Sequence, residues 1–359
     1  MPIKLSKFQG AIFGGYAGDA LGFPVENCHS KECHKYIYNF IMTKQCETKS
    51  NVKFKGFNLG QYTDDSQLSR EIAISYIENK GKCDYSAMSK RIADMFRPLS
   101  GKPYGCIVGF GKNTLNASIK ILNGVDYKFS GTPGATTNGT AMRSSIFGII
   151  YDSPDDVADV AAKQSLITHM SSTSAAAAVT VALFTHYCAR TKHKNFNVID
   201  IINTIIKYVR KIDIHYAECL TQLTKIVLLK DHHEFYMHVK AMEFDDYRPG
   251  YTISKEYSNN RYINSSAISS VMWAIYAFTH AMKNSSYVNC ICNAICAGGD
   301  VDTIAKMAGS FWGAFNGVEK IPSAILKKLH DVDSYWNYKH LIQMTMDLFT
   351  LYVNDKITT

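Results

Sequence analysis

Two short acidic motifs carry most of the chemistry in this sequence. Thr63-Asp64-Asp65-Ser66 stands directly before an amphipathic run from Gln67, and Gly298-Gly299-Asp300-Val301-Asp302-Thr303 stands before a helical run from Ile304 to Phe315. Acids in a first helical turn complement the helix dipole, and Thr63 is a reasonable N-cap, so capping accounts for either motif taken alone. Two such motifs, each with paired aspartates and a threonine, point further, to hard cations. Oxygen donors suit Mg²⁺, which needs few protein ligands and keeps waters. Consecutive helical residues project about 100° apart, so Asp64 and Asp65 can address two different ions, as can Asp300 and Asp302. Neither motif holds a soft ligand, which disfavours zinc. Two divalent ions in one site can orient a substrate and activate a water.

The elements that must position these residues read as helices. Ala267, Val271, Ala274, Ile275 and Phe278 fall on one face, as do Leu68, Ile72, Ala73, Tyr76 and Ile77,. Leu115, Ile119, Ile121 and Leu122 do so less cleanly. The stretch from Ser174 to Tyr187 is apolar all round, which suits a central helix,. Alternating strand patterns with tight turns are hard to find. The expectation is an all-α fold of about a dozen or more helices. Breaker-rich stretches at 43–60, 98–109, 130–139 and 243–264 read as loops on the site side,. With no long linker and no repeat, one domain over 1–359 is expected.

Composition narrows the class. The 359 residues are 46% apolar and 12% aromatic, which excludes a disordered chain. The length excludes a scaffold that needs staples. The surplus of 39 basic over 31 acidic residues, +8, suits a phosphate-bearing partner and many ordinary enzymes equally,. Ser174 to Phe184 is about half the ~20 residues a membrane span needs. Gly10 to Gly22 contains Asp19 and lacks a small-residue cleavage site, so it reads as a core helix,. A soluble, intracellular, cytoplasmic protein with free thiols follows as the expectation. Cys28-His29, Cys33-His34 and the trio Cys290, Cys292 and Cys296 imitate metal spacing, but no second pair lies at zinc-finger distance,. Cys292 and Cys296 read as small buried hydrophobes.

Taken together, the ordered motifs resemble the ADP-ribosylglycohydrolases, the group that includes the dinitrogenase reductase-activating glycohydrolases. Gly14 to Glu26, with Gly18-Asp19-Ala20-Leu21-Gly22-Phe23-Pro24-Val25-Glu26, looks like the family's GDALGxPxE opening. Thr63-Asp64-Asp65-Ser66 looks like its first metal motif, and Asn138-Gly139-Thr140-Ala141-Met142-Arg143 like its substrate-loop NGxxMR. Thr168-His169 looks like its TH pair. Gly299-Asp300-Val301-Asp302-Thr303, followed by Gly309, Gly313, Ala314 and Gly317, looks like its GDTDT helix, and Ile321-Pro322 like its ending. Together the motifs span most of the chain.

The resemblance implies a single compact orthogonal helical bundle and two Mg²⁺ ions, with Mn²⁺ able to substitute. It implies Thr63, Asp64, Asp65, Asp300, Asp302 and Thr303 as metal ligands. The implied reaction is hydrolysis, by a metal-activated water, of the bond between C1 of the ribose of ADP-ribose and an acceptor. That acceptor is a protein side chain, a polymer or a small molecule, with nucleic acid allowed but not required. No membrane partner is implied, and a monomer is expected. Glu26 and Asp65 are the candidate catalytic carboxylates. Gly109, Phe110, Gly111, Ala135, Thr136, Asn138, Gly139 and His169 are the candidate substrate contacts.

Several residues depart from the family pattern. Val301 replaces the usual threonine between the late aspartates, and Ser66 keeps a hydroxyl where threonine is common. Ala135 replaces a phosphate-contacting serine of one branch, which leaves backbone N–H groups of the Gly134–Gly139 loop to cradle a pyrophosphate,. The stretch Gly109-Phe110-Gly111 has glycine where another branch places a catalytic aspartate, which favours Glu26. Arg143 is expected to bridge the substrate loop to the core or to clamp a carboxylate, and His169 to sit against the ribose or hold a metal-bound aspartate. Gly309, Gly313 and Gly317 are spaced for close helix packing. A catalytically silent ADP-ribose-binding protein and a two-metal phosphohydrolase or nuclease remain as alternatives.

Overall fold

Leu5–Gly22 forms the first long helix, with Gly10, Gly14 and Gly18 down one side. A Cβ on Gly10 would lie 2.2 Å from the carbonyl oxygen of Gly313, one on Gly14 2.2 Å from that of Gly309, and one on Gly18 2.1 Å from that of Ala305. Those carbonyls belong to the Val301–Asn316 helix. The two backbones therefore touch along a seam where no side chain fits, which is the use the glycine spacing served. The pairing order is antiparallel, so it brings the end of the first helix to the start of the second. Asp19 and Asp302 meet at that junction, and a Cβ on Gly22 would lie 2.5 Å from the Asp302 Cα.

The computed structural model describes residues 3–50, 52–99, 107–243, 261–282, 286–332 and 335–354. These are mostly helical, with eighteen α-helices from Leu5–Gly22 to Tyr338–Asn354. The Ser172–Arg190 helix occupies the centre, buried continuously from Ser174 to His186. It packs against Pro154–Ser165, Val198–Val209, Ala267–Ala281 and Val301–Asn316. Phe184 meets Phe311 at 4.7 Å and Phe278 at 5.7 Å between ring centroids. The Lys112–Leu122 helix is more open: Ile119 is exposed, and Leu115 and Ile121 are partly buried. It sits at the bundle's edge, against Tyr85–Asp94 and Tyr127–Ser130.

Two strand pairs escape the helical reading. Lys53–Phe54 pairs antiparallel with Phe57–Asn58, inside a stretch expected to be loop. Thr132–Pro133 pairs in parallel with His169–Met170. Strands of two residues are too short to show an alternating period. The second pair pins the loop before Asn138 against Thr168 and His169. Of the stretches expected to surround the site, 100–106 and 244–260 lie outside the described residues. Among the described residues no helix is long and apolar enough to cross a membrane.

Candidate active site

The helix Asp64–Glu78 starts at Thr63, whose side chain makes no capping bond. The cap comes instead from Asp19. Its carboxylate accepts the Thr63 N–H at 3.1 Å on each oxygen, the Ser66 N–H at 3.2 Å and the Thr63 hydroxyl at 2.9 Å. Thr63 thus holds the N-cap position but donates to Asp19 rather than capping, a correction to the expected role. Asp19 is fully buried. Burial pushes its carboxyl up to about 6, against the pull of Ser66, Lys306 and Thr63.

Helix starts converge on a cavity of about 520 Å³. Its acidic end is lined by Asp64, Asp65, Asp300, Asp302 and Thr303, with Glu26 at the mouth. The Thr303 hydroxyl donates to Asp65 Oδ1 at 3.1 Å. Asn138 Nδ2 donates to Asp300 Oδ2 at 2.9 Å and to Ser270 Oγ at 3.2 Å. Oxygens of Asp19, Asp65 and Asp302 lie within 4.8 Å of one another, all buried. Asp65 Oδ2 is buried with no hydrogen-bond partner among the described residues.

Burial, reinforced by neighbouring carboxylates, holds Asp64, Asp65 and Asp302 well above the ordinary carboxyl range. Asp300 is raised too, chiefly by burial. Lys306 lies beneath the cluster, donating to Ser69 Oγ at 2.9 Å and standing 5.2 Å over the Tyr16 ring. Burial lowers its ammonium to about 8, partly offset by Asp65, Asp19 and Asp64. Lys306 cannot balance five clustered carboxylates, four of them buried. A buried, oxygen-only donor set with an orphaned carboxylate oxygen fits a divalent cation.

The loop before Gly111 lies across this end. Asp64 N–H donates to Val108 O at 2.7 Å, and Val108 N–H to Gln67 Oε1 at 3.0 Å. Gly109 adopts φ +80, where a Cβ would stand 3.4 Å from Asp64 Oδ1. At the mouth, Glu26 is held on two sides. Lys55 Nζ donates to Oε2 at 2.9 Å and Asn27 Nδ2 to Oε1 at 3.1 Å.

Another part of the cavity wall is rich in donors: Gly111, Lys112, Asn113, Thr137, Gly139 and His169. His169 contacts no aspartate. Its Nδ1 is 2.7 Å from Thr168 Oγ1 and its Nε2 2.7 Å from Thr137 Oγ1. Burial, with Arg143 nearby, lowers the imidazole to about 3, so it is neutral. Arg143 bridges the substrate loop to the core, the first of its two expected roles, and does not clamp a carboxylate among the described residues. It is fully buried and grips Gln164 Oε1 at 2.8 Å and Thr168 Oγ1 at 2.9 Å. Burial lowers the guanidinium to about 9, with the Asp64 charge opposing.

Among the expected site residues, Thr63, Phe110, Ala135 and Thr136 are off the cavity wall. Phe110 packs edge-on against Phe96 at 5.2 Å. Ala135 is buried, its carbonyl taken by Ser174 Oγ at 2.6 Å, and Thr136 is exposed with its carbonyl taken by Ala267 N–H. Asp19, Thr137 and Lys55 are site residues that sequence reasoning passed over. Only Asp19 carried a signal, as a lone acid in an otherwise apolar helix.

The family model for ADP-ribosylglycohydrolase matches residues 1–356. The ADP-ribosylhydrolase ARH3 of Xenopus tropicalis is 24% identical over 335 residues, covering 90% of each chain. The protein of the same name from Homo sapiens is 24% identical over 333 residues, covering 89% of this chain and 88% of its own. The uncharacterized protein YegU of Escherichia coli (strain K12) is 27% identical over 343 residues, covering 92% and 94%. Among solved structures, an ADP-ribosylglycohydrolase-related protein complex superposes with a TM-score of 0.65 over 97% of this chain and 98% of that one; at 16% identity, that similarity bears on the fold alone.

Proposed function

Because the chain belongs to the ADP-ribosylglycohydrolase family, we propose that it hydrolyses the C1 ribosyl bond of ADP-ribose joined to a protein side chain, a polymer or another acceptor. Membership makes it an ADP-ribose hydrolase; the acceptor and the metal are the parts proposed. The observation that carries the reading is the convergence of Asp19, Asp65 and Asp302 around the orphaned Asp65 Oδ2. Two Mg²⁺ ions, or Mn²⁺ in their place, would be held by Thr63, Asp64, Asp65, Asp300, Asp302 and Thr303, with Asp19 added to the set. Bound there, they would supply the positive charge that fixes ribose hydroxyls and acidifies a water.

The chain's own residues divide the remaining work. Glu26, anchored by Lys55 and Asn27 at the mouth, takes the proton of the attacking water,. Asp65 faces the sugar with a carboxylate whose charge steadies the oxocarbenium-like centre. Asn138 and Thr303 fix Asp300 and Asp65 in place. The donor-rich wall, with Gly111, Gly139 and His169, receives the rest of the ADP-ribosyl group, with Gly109 standing beside Asp64. Residues 1–359 act as one domain, since motifs near both ends build one cavity. A monomer suffices. The described cysteines are free and mostly buried, which suits a reducing, cytoplasmic setting,.

The test is a release assay with arginine-, serine- and polymer-linked ADP-ribose in parallel. Free ADP-ribose from at least one, dependent on Mg²⁺, is the expected result. Release from none would overturn hydrolysis and leave a binding protein.

A further inference from the structure

A run of hydrogen bonds at the donor-rich wall has a direction that the chemistry of its members fixes. Arg143 Nη2, which can only donate, gives its hydrogen to Thr168 Oγ1 at 2.9 Å,. Thr168 is fully buried, and His169 Nδ1, at 2.7 Å, is the remaining acceptor for its own hydroxyl hydrogen among the described residues. The reverse assignment would strand that hydrogen inside the protein, at a cost of about 1–3 kcal/mol. His169 Nδ1 is therefore the acceptor, and the neutral ring carries its single hydrogen on Nε2. That hydrogen goes to Thr137 Oγ1 at 2.7 Å. Asn113 Nδ2 donates to the same oxygen at 3.1 Å.

Both acceptor positions of the Thr137 hydroxyl are thus filled. What it has left is one hydrogen to donate, polarised by two donors behind it. Thr137 lines the cavity, and the structure gives its hydroxyl no protein acceptor among the described residues. The surroundings select an anion. The 11-residue Lys112–Leu122 helix opens onto the cavity at Gly111 with no capping side chain, and Lys112 lines the same wall.

We propose that Thr137 is a substrate-binding residue whose hydroxyl, held as an obligate donor by the Arg143–Thr168–His169 chain, bonds a phosphate oxygen of the ADP-ribosyl group. This rests on the ADP-ribose reading above. It places a hydroxyl two positions after Ala135, where the chain lacks a side-chain donor of its own.

The test uses the full chain, free ADP-ribose as the probe, Thr137→Val and Thr137→Ser. Thr137 has extended backbone (φ −88, ψ 162), which valine adopts readily. Calorimetry is expected to show on the order of tenfold weaker ADP-ribose binding by Thr137→Val, and binding by Thr137→Ser within about twofold of wild type. The ³¹P resonances of bound ADP-ribose should differ between wild type and Thr137→Val. Thr137→Ala serves the same purpose if the valine variant melts early. Wild-type affinity in the valine variant overturns the proposal, as does a loss of affinity in which only sugar proton resonances change. Failure of the wild-type chain to bind ADP-ribose at all overturns the parent reading instead, so the two failures are distinct.

Discussion

The Thr303 hydroxyl donates to Asp65 Oδ1 across 3.1 Å, joining residues 238 positions apart. The glycine seam sets the Val301–Asn316 helix against Leu5–Gly22, and Asp19 clasps the latter to the start of Asp64–Glu78. Two helix N-termini therefore aim at one cluster of carboxylates, and their dipoles offset part of its negative charge. Replacing Thr303 by valine keeps the shape and removes the bond. Turnover and cation affinity should fall roughly 10–100-fold, with Thr303→Ser close to wild type. A Mg²⁺ titration of activity checks this, and an unchanged titration in the valine variant would contradict it.

Asp19 holds the start of a helix on which it does not lie. In Asp19→Ala, the Thr63 and Ser66 N–H groups lose their partner. Relief of repulsion within the acid cluster offsets part of that loss. The net effect should be a destabilisation of about 1–3 kcal/mol, read from urea unfolding in chelator. An unchanged midpoint would show that the cap matters little.

Lys55 makes three contacts around Glu26: Oε2 at 2.9 Å, the Glu26 backbone carbonyl at 3.2 Å and the Phe23 ring at 4.7 Å. It sits at φ +50, followed by Gly56 at φ +85, in the turn of the short hairpin. A partly exposed pair contributes little to stability, about 0–1 kcal/mol. Lys55→Met should therefore melt near the wild-type temperature yet turn over on the order of tenfold more slowly, through misplacement of Glu26. In a Glu26→Gln background the same change should cost nothing further. Multiplicative losses would mean that Lys55 acts independently of Glu26.

Protons and divalent cations compete for the same carboxylates. Burial raises Asp19 to about 6 from 3.8 and, with neighbouring carboxylates, holds Asp64, Asp65 and Asp302 well above the ordinary carboxyl range. A carboxyl whose folded pKa is raised contributes stability that is fully present below its unfolded pKa and is lost as pH rises through the folded pKa. The cation recovers what is lost. The rise in melting temperature on adding Mg²⁺ to chelated protein should therefore be larger at pH 8 than at pH 5.5. His169 and His186, lowered to about 3 by burial, lie outside the cation cluster and act alike with and without Mg²⁺, so they cancel in this difference. An equal rise at both pH values would count against the carboxylates as the binding groups.

How much of this was legible in the sequence depends on the kind of signal each residue leaves. Asp64, Asp65, Asp300 and Asp302 stood out because two motifs of paired aspartates with a threonine occur in one chain, where either alone reads as a helix cap,. The all-α fold followed from the 3.6-residue period of helices such as Ala267–Ala281,. Glycines 309 and 313 announced close packing, but their partners, Gly10 and Gly14, are set by tertiary contact alone. Asp19 stood out as the lone acid of its helix, but its capping role spans two helices and leaves no local pattern. Thr137 carried no pattern, because its donor role depends on a buried arginine three contacts away. For Arg143 the sequence left two roles open, a bridge to the core and a carboxylate clamp, and burial commits it to the first, on Gln164 and Thr168.

The central claim is that the carboxylates at the acidic end of the cavity hold the cations on which ADP-ribose hydrolysis depends. The most direct measurement is release of ADP-ribose by the wild-type chain with Mg²⁺, after chelation, and after Mg²⁺ is restored, beside Asp302→Asn with Mg²⁺. Loss on chelation, recovery on restoration, and turnover at least 100-fold lower in a folded Asp302→Asn protein are the predicted results. Turnover that survives chelation, or an Asp302→Asn protein as active as wild type, would contradict the account.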